Sequence, residues 1–164
     1  MKYHAIAEKY TKFVLTQNGK QIAQLNYKSW FKFSAEIQVL NTRYLVEPKG
    51  FWGNNVEVLH GNKVILEFTM NWDGSIVMKS HFNDMDKNYT FTHKGFFREL
   101  FSLTDEKGNE LLIMKPSIQW RSLNYEYQIN TSEILESFDE KNLLLLISLH
   151  CANYYMSMMM GMGT

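Results

Sequence analysis

The chain has 164 residues, 45% of them hydrophobic and 15% aromatic, which is enough apolar material for one substantial core and excludes a disordered chain. Seventeen basic side chains balance seventeen acidic ones, so the overall positive charge that steers proteins onto nucleic acid is missing. The single cysteine, Cys151, excludes an intrachain disulfide and a cysteine-based zinc site.

The opening MKYHAIAEKYTK interleaves charges with its few apolar residues. It lacks the continuous apolar stretch of a secretory signal, so a cytoplasmic setting is expected. From there to residue 131 the chain reads as about twelve short strands, centred near residues 5, 14, 24, 37, 45, 57, 66, 78, 91, 101, 113 and 127. Asn18-Gly19, Gly61-Asn62, Asp73-Gly74 and Lys107-Gly108 supply the positive backbone angles of tight hairpins between them. Alternation is clearest from Lys63 to Met70, where Val64, Leu66, Phe68 and Met70 share one face and Lys63, Glu67 and Thr69 the other. Tyr89, Phe91 and His93 repeat the pattern, as do Leu123, Tyr125, Tyr127 and Ile129. Pro48 and Pro116 are expected near strand ends, where a missing amide donor does least harm. Strands joined by hairpins pair with their chain neighbours, which predicts an antiparallel meander without linkers or repeats, in a single domain over residues 1–164.

The last quarter changes character. From Leu143 to Met160 the sequence LLLLISLHCANYYMSMMM is helix-length and apolar on nearly every side, so it requires an apolar envelope. A barrel of roughly eight strands is just filled by its own side chains, and one of about twelve leaves a lumen that needs a plug. A helix about 10 to 12 Å across and about 27 Å long suits that lumen in size. The expected architecture is therefore a closed antiparallel barrel over residues 1–131 around a central hydrophobic helix over 137–160. The alternative envelope is a bilayer, with the same run as a C-terminal membrane span. Against it, His150, Asn153 and Ser157 form a polar stripe that would be costly in lipid but could hydrogen-bond to barrel side chains. The terminal methionines suit an irregular interior.

The order of strands followed by FDEKNLLLLISLHCANYYMSMMM resembles the tubby C-terminal-like superfamily, which includes plant LURP-one-related proteins and phospholipid scramblases. Local similarities are the Tyr10-Thr11-Lys12-Phe13-Val14-Leu15 strand, the Asn18-Gly19 hairpin and the Phe138-Asp139 pair that would open the helix. The resemblance implies a closed barrel threaded by its C-terminal helix, a helix also read in scramblases as a membrane span. It further implies lipid-binding or membrane-tethered roles rather than hydrolase or transferase chemistry.

Candidate sites are few. Asp84, Asp86 and Asn88 open like a calcium loop, but Tyr89 stands where glycine is needed and Gly95 where the bidentate glutamate belongs, so a solvated turn is expected. His150, Cys151 and Met156, Met158, Met159, Met160 and Met162 offer soft ligands, yet a helix spreads them around its circumference. Neither a metal nor another cofactor is expected. His4, His60, His81 and His93 are scattered, and no phosphate-cradling glycine loop, GxSxG elbow or HExxH helix is present, which argues against an enzyme.

The sharpest functional signal is three segments that interleave aromatic and basic residues: Lys28-Ser29-Trp30-Phe31-Lys32-Phe33, Lys49-Gly50-Phe51-Trp52 and Lys94-Gly95-Phe96-Phe97-Arg98. Lys28, Trp30, Lys32, Lys49, Trp52, Lys94 and Arg98 are the residues suited to an anionic phospholipid surface, where cations attract headgroups and rings insert shallowly. Strand alternation offers a plainer account, with Phe31 and Phe33 facing inward while Lys28 and Lys32 face solvent. The expected function is a non-enzymatic binding or scaffold module, peripheral to the inner face of a membrane. The alternatives are a scramblase-like protein with a membrane-spanning tail and a protein-interaction module.

Overall fold

Alternating apolar and polar residues draw the chain into twelve strands: β1 (Lys2–Lys9), β2 (Lys12–Gln17), β3 (Lys20–Ser29), β4 (Ser34–Val39), β5 (Thr42–Lys49), β6 (Asn55–His60), β7 (Lys63–Met70), β8 (Ile76–Phe82), β9 (Met85–Lys94), β10 (Leu100–Asp105), β11 (Glu110–Gln119) and β12 (Asn124–Thr131). The structure, a computed structural model, describes residues 1–9, 11–50, 54–71, 74–95, 99–119 and 124–161. Each strand pairs antiparallel with its chain neighbours, and β1 closes the sheet onto β12 through Tyr3↔Ile129 and Ala5↔Tyr127. The expected meander is thus a closed barrel, which removes the exposed edges that an open sheet would carry.

Hairpin chemistry follows the sequence at Asn18-Gly19, where both residues take positive φ (51° and 75°). Asn83 and Asp84 do the same (51° and 58°), so the acidic segment probed for calcium is a two-residue hairpin. Its carboxylates have partners: Asp84 meets Lys63 at 3.3 Å, and Asp86 meets Lys79 at 3.2 Å and His81 at 2.7 Å.

Inside, Leu66, Phe68, Tyr89, Phe91, Tyr127 and Ile129 are buried as the alternation requires. Val64 departs from it. Val58 pairs with Leu66 but Leu59 pairs with Val64, so Ile65 is an extra residue in β7; it is buried, and Val64 is left half-buried. Pro116 also departs, lying well within β11 and opposite Tyr127. The register of β11 with β10 runs only as far as Met114↔Phe101, so Pro116 stands where β11 has outrun that neighbour. The side chains of residues 118, 119, 124 and 125, and residue 123 altogether, lie outside the described set, and with them the expectations for Leu123 and Tyr125.

The plug is α2 (Lys141–Gly161). Every residue from Leu143 to Asn153 is buried. His150 packs on Tyr27 of β3 and Phe68 of β7, Asn153 bonds to Tyr127 of β12, and Tyr155 packs on Phe91 of β9 and Phe101 of β10. Those strands are distributed around the closed ring, so the helix runs through the lumen. No helix among the described residues is long and apolar enough to cross a membrane. The bilayer alternative is thereby corrected: polar Asn142, Ser148, His150 and Asn153 dilute the run, and its apolar envelope is the barrel itself.

The helix begins later than expected, at Lys141 rather than 137, and Phe138-Asp139 lies in the connection before it. A separate short turn of helix, α1 (Glu133–Glu136), precedes it, with Ser132 as N-cap accepting from the Leu135 amide. The chain must reverse direction between β12 and the lumen, which one continuous helix cannot do. Glu136 latches this reversal, accepting from the Tyr3 hydroxyl (2.9 Å), the Thr131 hydroxyl and the Lys141 ammonium (2.7 Å). Burial works against its charge, yet these three donors outweigh it and hold the carboxyl below the ordinary range.

Of the expected polar stripe, Asn153 alone among His150, Asn153 and Ser157 has described hydrogen bonds to the wall. Tyr127 Oη donates to its Oδ1 at 2.7 Å, and its Nδ2 donates to Tyr27 Oη at 3.1 Å. An Asn153→Ala variant removes both of these buried hydrogen bonds and should lose about 2 kcal/mol in urea unfolding. Combining Asn153→Leu with Tyr27→Phe and Tyr127→Phe should recover most of that loss, since it removes both sides of each bond.

Candidate functional site

Because the strands alternate in direction, β1, β3, β5, β7, β9 and β11 all finish at one end of the barrel, here called the upper end. Helix α2 enters from the other end after β12, so its last turns emerge at the upper end. Tyr154 and Tyr155 are half-buried and Met158 is 48% exposed, unlike the fully enclosed residues before them. Met156 remains buried, so the terminal methionines are partly filling and partly surface.

The β3–β4 connection shapes the mouth. Tyr27 pairs with Ala35 and Ser29 with Ser34, which makes Lys28 the extra residue of a bulge. Residues 30–33 form a turn closed by the Phe33 amide donating to the Trp30 carbonyl (3.2 Å), with Phe33 at φ 53°. A bulky residue is rarely held at such an angle without over-determining contacts. Phe33 has them, edge-on to Tyr154 (5.3 Å), Tyr27 (6.0 Å) and His150 (6.1 Å). Trp30 folds back onto Tyr27 at 4.7 Å. What remains outside is Phe31, 96% exposed. The expected inward pair is therefore split: Phe33 packs inward and Phe31 points to solvent, because a turn rather than a strand carries them.

Beside this turn opens a cavity of about 690 Å³ between β4, β5, β6 and the emerging helix. Buried Ala35, Val46 and Val56 form its apolar depth, with Phe33 and Tyr154 alongside. Lys28, Phe31, Lys32, Ser34, Pro48 and Gly50 also line it, Gly50 at φ 77°. Lys28 and Lys32 are exposed and form no ion pair with any described residue. Glu47 also lines the cavity, but Lys49 sits 3.3 Å from its carboxylate and 3.5 Å from Glu57. Those carboxylates push the Lys49 ammonium above its ordinary pKa. Burial raises the Tyr154 hydroxyl, which stays protonated and able to donate at neutral pH.

The sequence-selected residues thus divide. Lys28 and Lys32 come together at the cavity, Trp30 folds back onto Tyr27 instead, and Lys49 stands beside the cavity through Gly50. Lys94 ends β9 at the same end, but its ammonium is 2.9 Å from Glu110, which also accepts from Ser102. Strand β9 is not among those lining the cavity, and Lys94 and Ser102 hold the Glu110 carboxyl below the ordinary range. Phe51, Trp52, Phe96, Phe97 and Arg98 lie outside the described residues. The contributions of Ala35, Val46, Val56 and Tyr154 have no signature in the sequence beyond inward alternation and helix position.

Of the scattered histidines, His4 is on β1, His60 beside Tyr44 at the end of β6, His81 on β8 with Asp86 and Glu67, and His93 on β9 against Phe101 and Tyr155. Among the described residues no cluster of His, Cys, Asp and Glu is arranged to hold a metal ion. His150 lies deeper, stacked 5.5 Å from Tyr27, with neither ring nitrogen hydrogen-bonded. Burial lowers its pKa to about 4 and pushes the neighbouring Cys151 thiol far up, so both are neutral core groups. Compared with known proteins, the chain matches no family model, no curated protein and no solved structure.

The unfolded chain binds a proton on His150 near the ordinary 6.5 and the folded chain only near 4. Its contribution is complete above pH 6.5 and is lost progressively as pH falls toward 4, amounting to about 3 kcal/mol. A His150→Leu variant should flatten this part of the stability profile, read as urea midpoints between pH 7 and pH 4. An unchanged slope would rule out His150 as its source.

Proposed function

We propose that this chain is a non-enzymatic binding module of the tubby-like kind, cytoplasmic, whose upper end docks reversibly on anionic phospholipid. The observation that carries the reading is the β3–β4 turn: a fully projecting Phe31 between Lys28 and Lys32, two cations without described counterions. A protein interior has no use for this arrangement, whereas a headgroup boundary accommodates both the ring and the charges. The resemblance in strand order and C-terminal helix supports the same reading, since lipid-linked roles are what it implies.

The expected strength is modest. Each lysine near an acidic leaflet contributes about 1 kcal/mol and burial of Phe31 about 1.5 to 3 kcal/mol. Together they give a binding free energy on the order of 4 kcal/mol, a millimolar and salt-sensitive association. The protein should sediment with vesicles of phosphatidylcholine containing phosphatidylserine at low salt and be released at high salt. Phe31→Ser, and Lys28→Gln with Lys32→Gln, should each weaken the association about thirtyfold, the equivalent of about 2 kcal/mol. Lys94→Gln should leave it unchanged. Equal sedimentation with neutral vesicles, or none with either, would overturn the lipid reading and favour a protein partner for Phe31.

A further inference from the structure

We infer that the cavity at the upper end is a binding site for a single-chain anionic amphiphile, a long-chain carboxylate whose headgroup lies between Lys28 and Lys32 and whose tail enters the barrel mouth. The inference deepens the proposed lipid-facing role and rests on the same end of the barrel. Its volume, about 690 Å³, falls within the range of about 300 to 1,000 Å³ that encloses one small ligand.

Chemistry selects the class. Ala35, Leu45, Val46 and Val56 with the Phe33 ring give the cavity a hydrocarbon wall. Among the described residues the charge in its lining comes from Lys28, Lys32 and Glu47, and Glu47 is engaged by Lys49. What remains uncompensated is positive, so the complementary ligand is apolar along its length and negative at one end. Tyr154 lines the helix side of the cavity, its ring edge-on to Phe33. The cavity also has a rigid frame: Phe33 is fixed by Tyr27, His150 and Tyr154, and β4, β5 and β6 are consecutive members of the closed ring. A preorganised site spends less of its binding free energy on ordering.

The test is calorimetric titration of the full chain with dodecanoate below its micelle threshold, beside dodecanol, dodecyltrimethylammonium and acetate. Saturable one-to-one binding of dodecanoate is expected, with dodecanol about tenfold weaker, the cationic amphiphile weaker still and acetate unbound. Exchanging the two exposed lysines, Lys28→Gln with Lys32→Gln, should weaken dodecanoate about tenfold and leave dodecanol unaffected. Ala35→Phe, which fills the depth, should abolish binding of both chains; because it could disturb folding, the lysine pair carries the decision. Equal affinity for dodecanoate and dodecanol, insensitivity to the lysine changes, or no binding overturns the inference. Vesicle sedimentation on the same samples separates the two claims. Sedimentation with acidic vesicles without dodecanoate binding overturns the cavity alone, absence of both overturns both, and dodecanoate binding without sedimentation supports the cavity while removing membrane docking.

Discussion

The structure depends on one mutual requirement, that of a lumen too wide to be filled by its own wall and a helix too apolar to face water. Leu143, Leu144, Leu145, Leu146, Ile147 and Leu149 are all buried around the helix axis, which no packing on a single sheet face would achieve. At about 2 kcal/mol for each enclosed side chain, those six alone supply on the order of 10 kcal/mol before the cost of ordering the helix. Asn153 adds direction to this otherwise slippery contact. Its two bonds to Tyr27 and Tyr127 exist at one rotation and one height of the helix, so they select a position that hydrocarbon alone would leave loosely defined.

The mouth inherits its shape from that position. Tyr154 and Tyr155 follow Asn153 directly and reach the upper end with their rings already aimed, one toward Phe33 and the other toward Phe91 and Phe101. Phe33 can occupy a backbone angle rarely tolerated by an aromatic residue because the helix supplies two of its ring contacts. The projection of Phe31 and the placement of Lys28 and Lys32 are therefore linked to core packing through one strained residue. A surface feature of this kind is held by the interior and not by the flexibility of its own turn.

Much of the architecture was legible because it rests on short-range rules. Two-residue periodicity located the strands, glycine and asparagine marked several of the turns, and a last helix that is apolar on nearly every side required an enclosure. The failures have equally physical causes. The turn at 30–33 contains no glycine, proline or asparagine, so nothing in its composition interrupts the alternation that placed Phe31 inside. The Ile65 bulge changes which side chains enter without changing residue type. The late start of α2 comes from a spatial need, the reversal into the lumen, which local propensity does not encode. Lys94 looked equivalent to Lys28 and Lys32 along the chain, but it stands on β9, away from the strands that line the cavity, and is paired with Glu110. The cavity arises from β4, β5, β6 and α2 together, and such convergence leaves almost no trace in any one segment.

The order of elements along the chain has a consequence for synthesis. Eleven of the barrel's pairings join strands that follow one another, and the remaining one, between β1 and β12, joins the first strand to the last. Since chains are made from the N-terminus at about 5 to 20 residues per second, hairpins can assemble as they emerge from the ribosome. The ring cannot close until β12 appears, and its filling arrives after that. For this interval of a few seconds the nascent sheet holds free edges and an unfilled apolar concavity, the condition in which chaperone capture competes with completion.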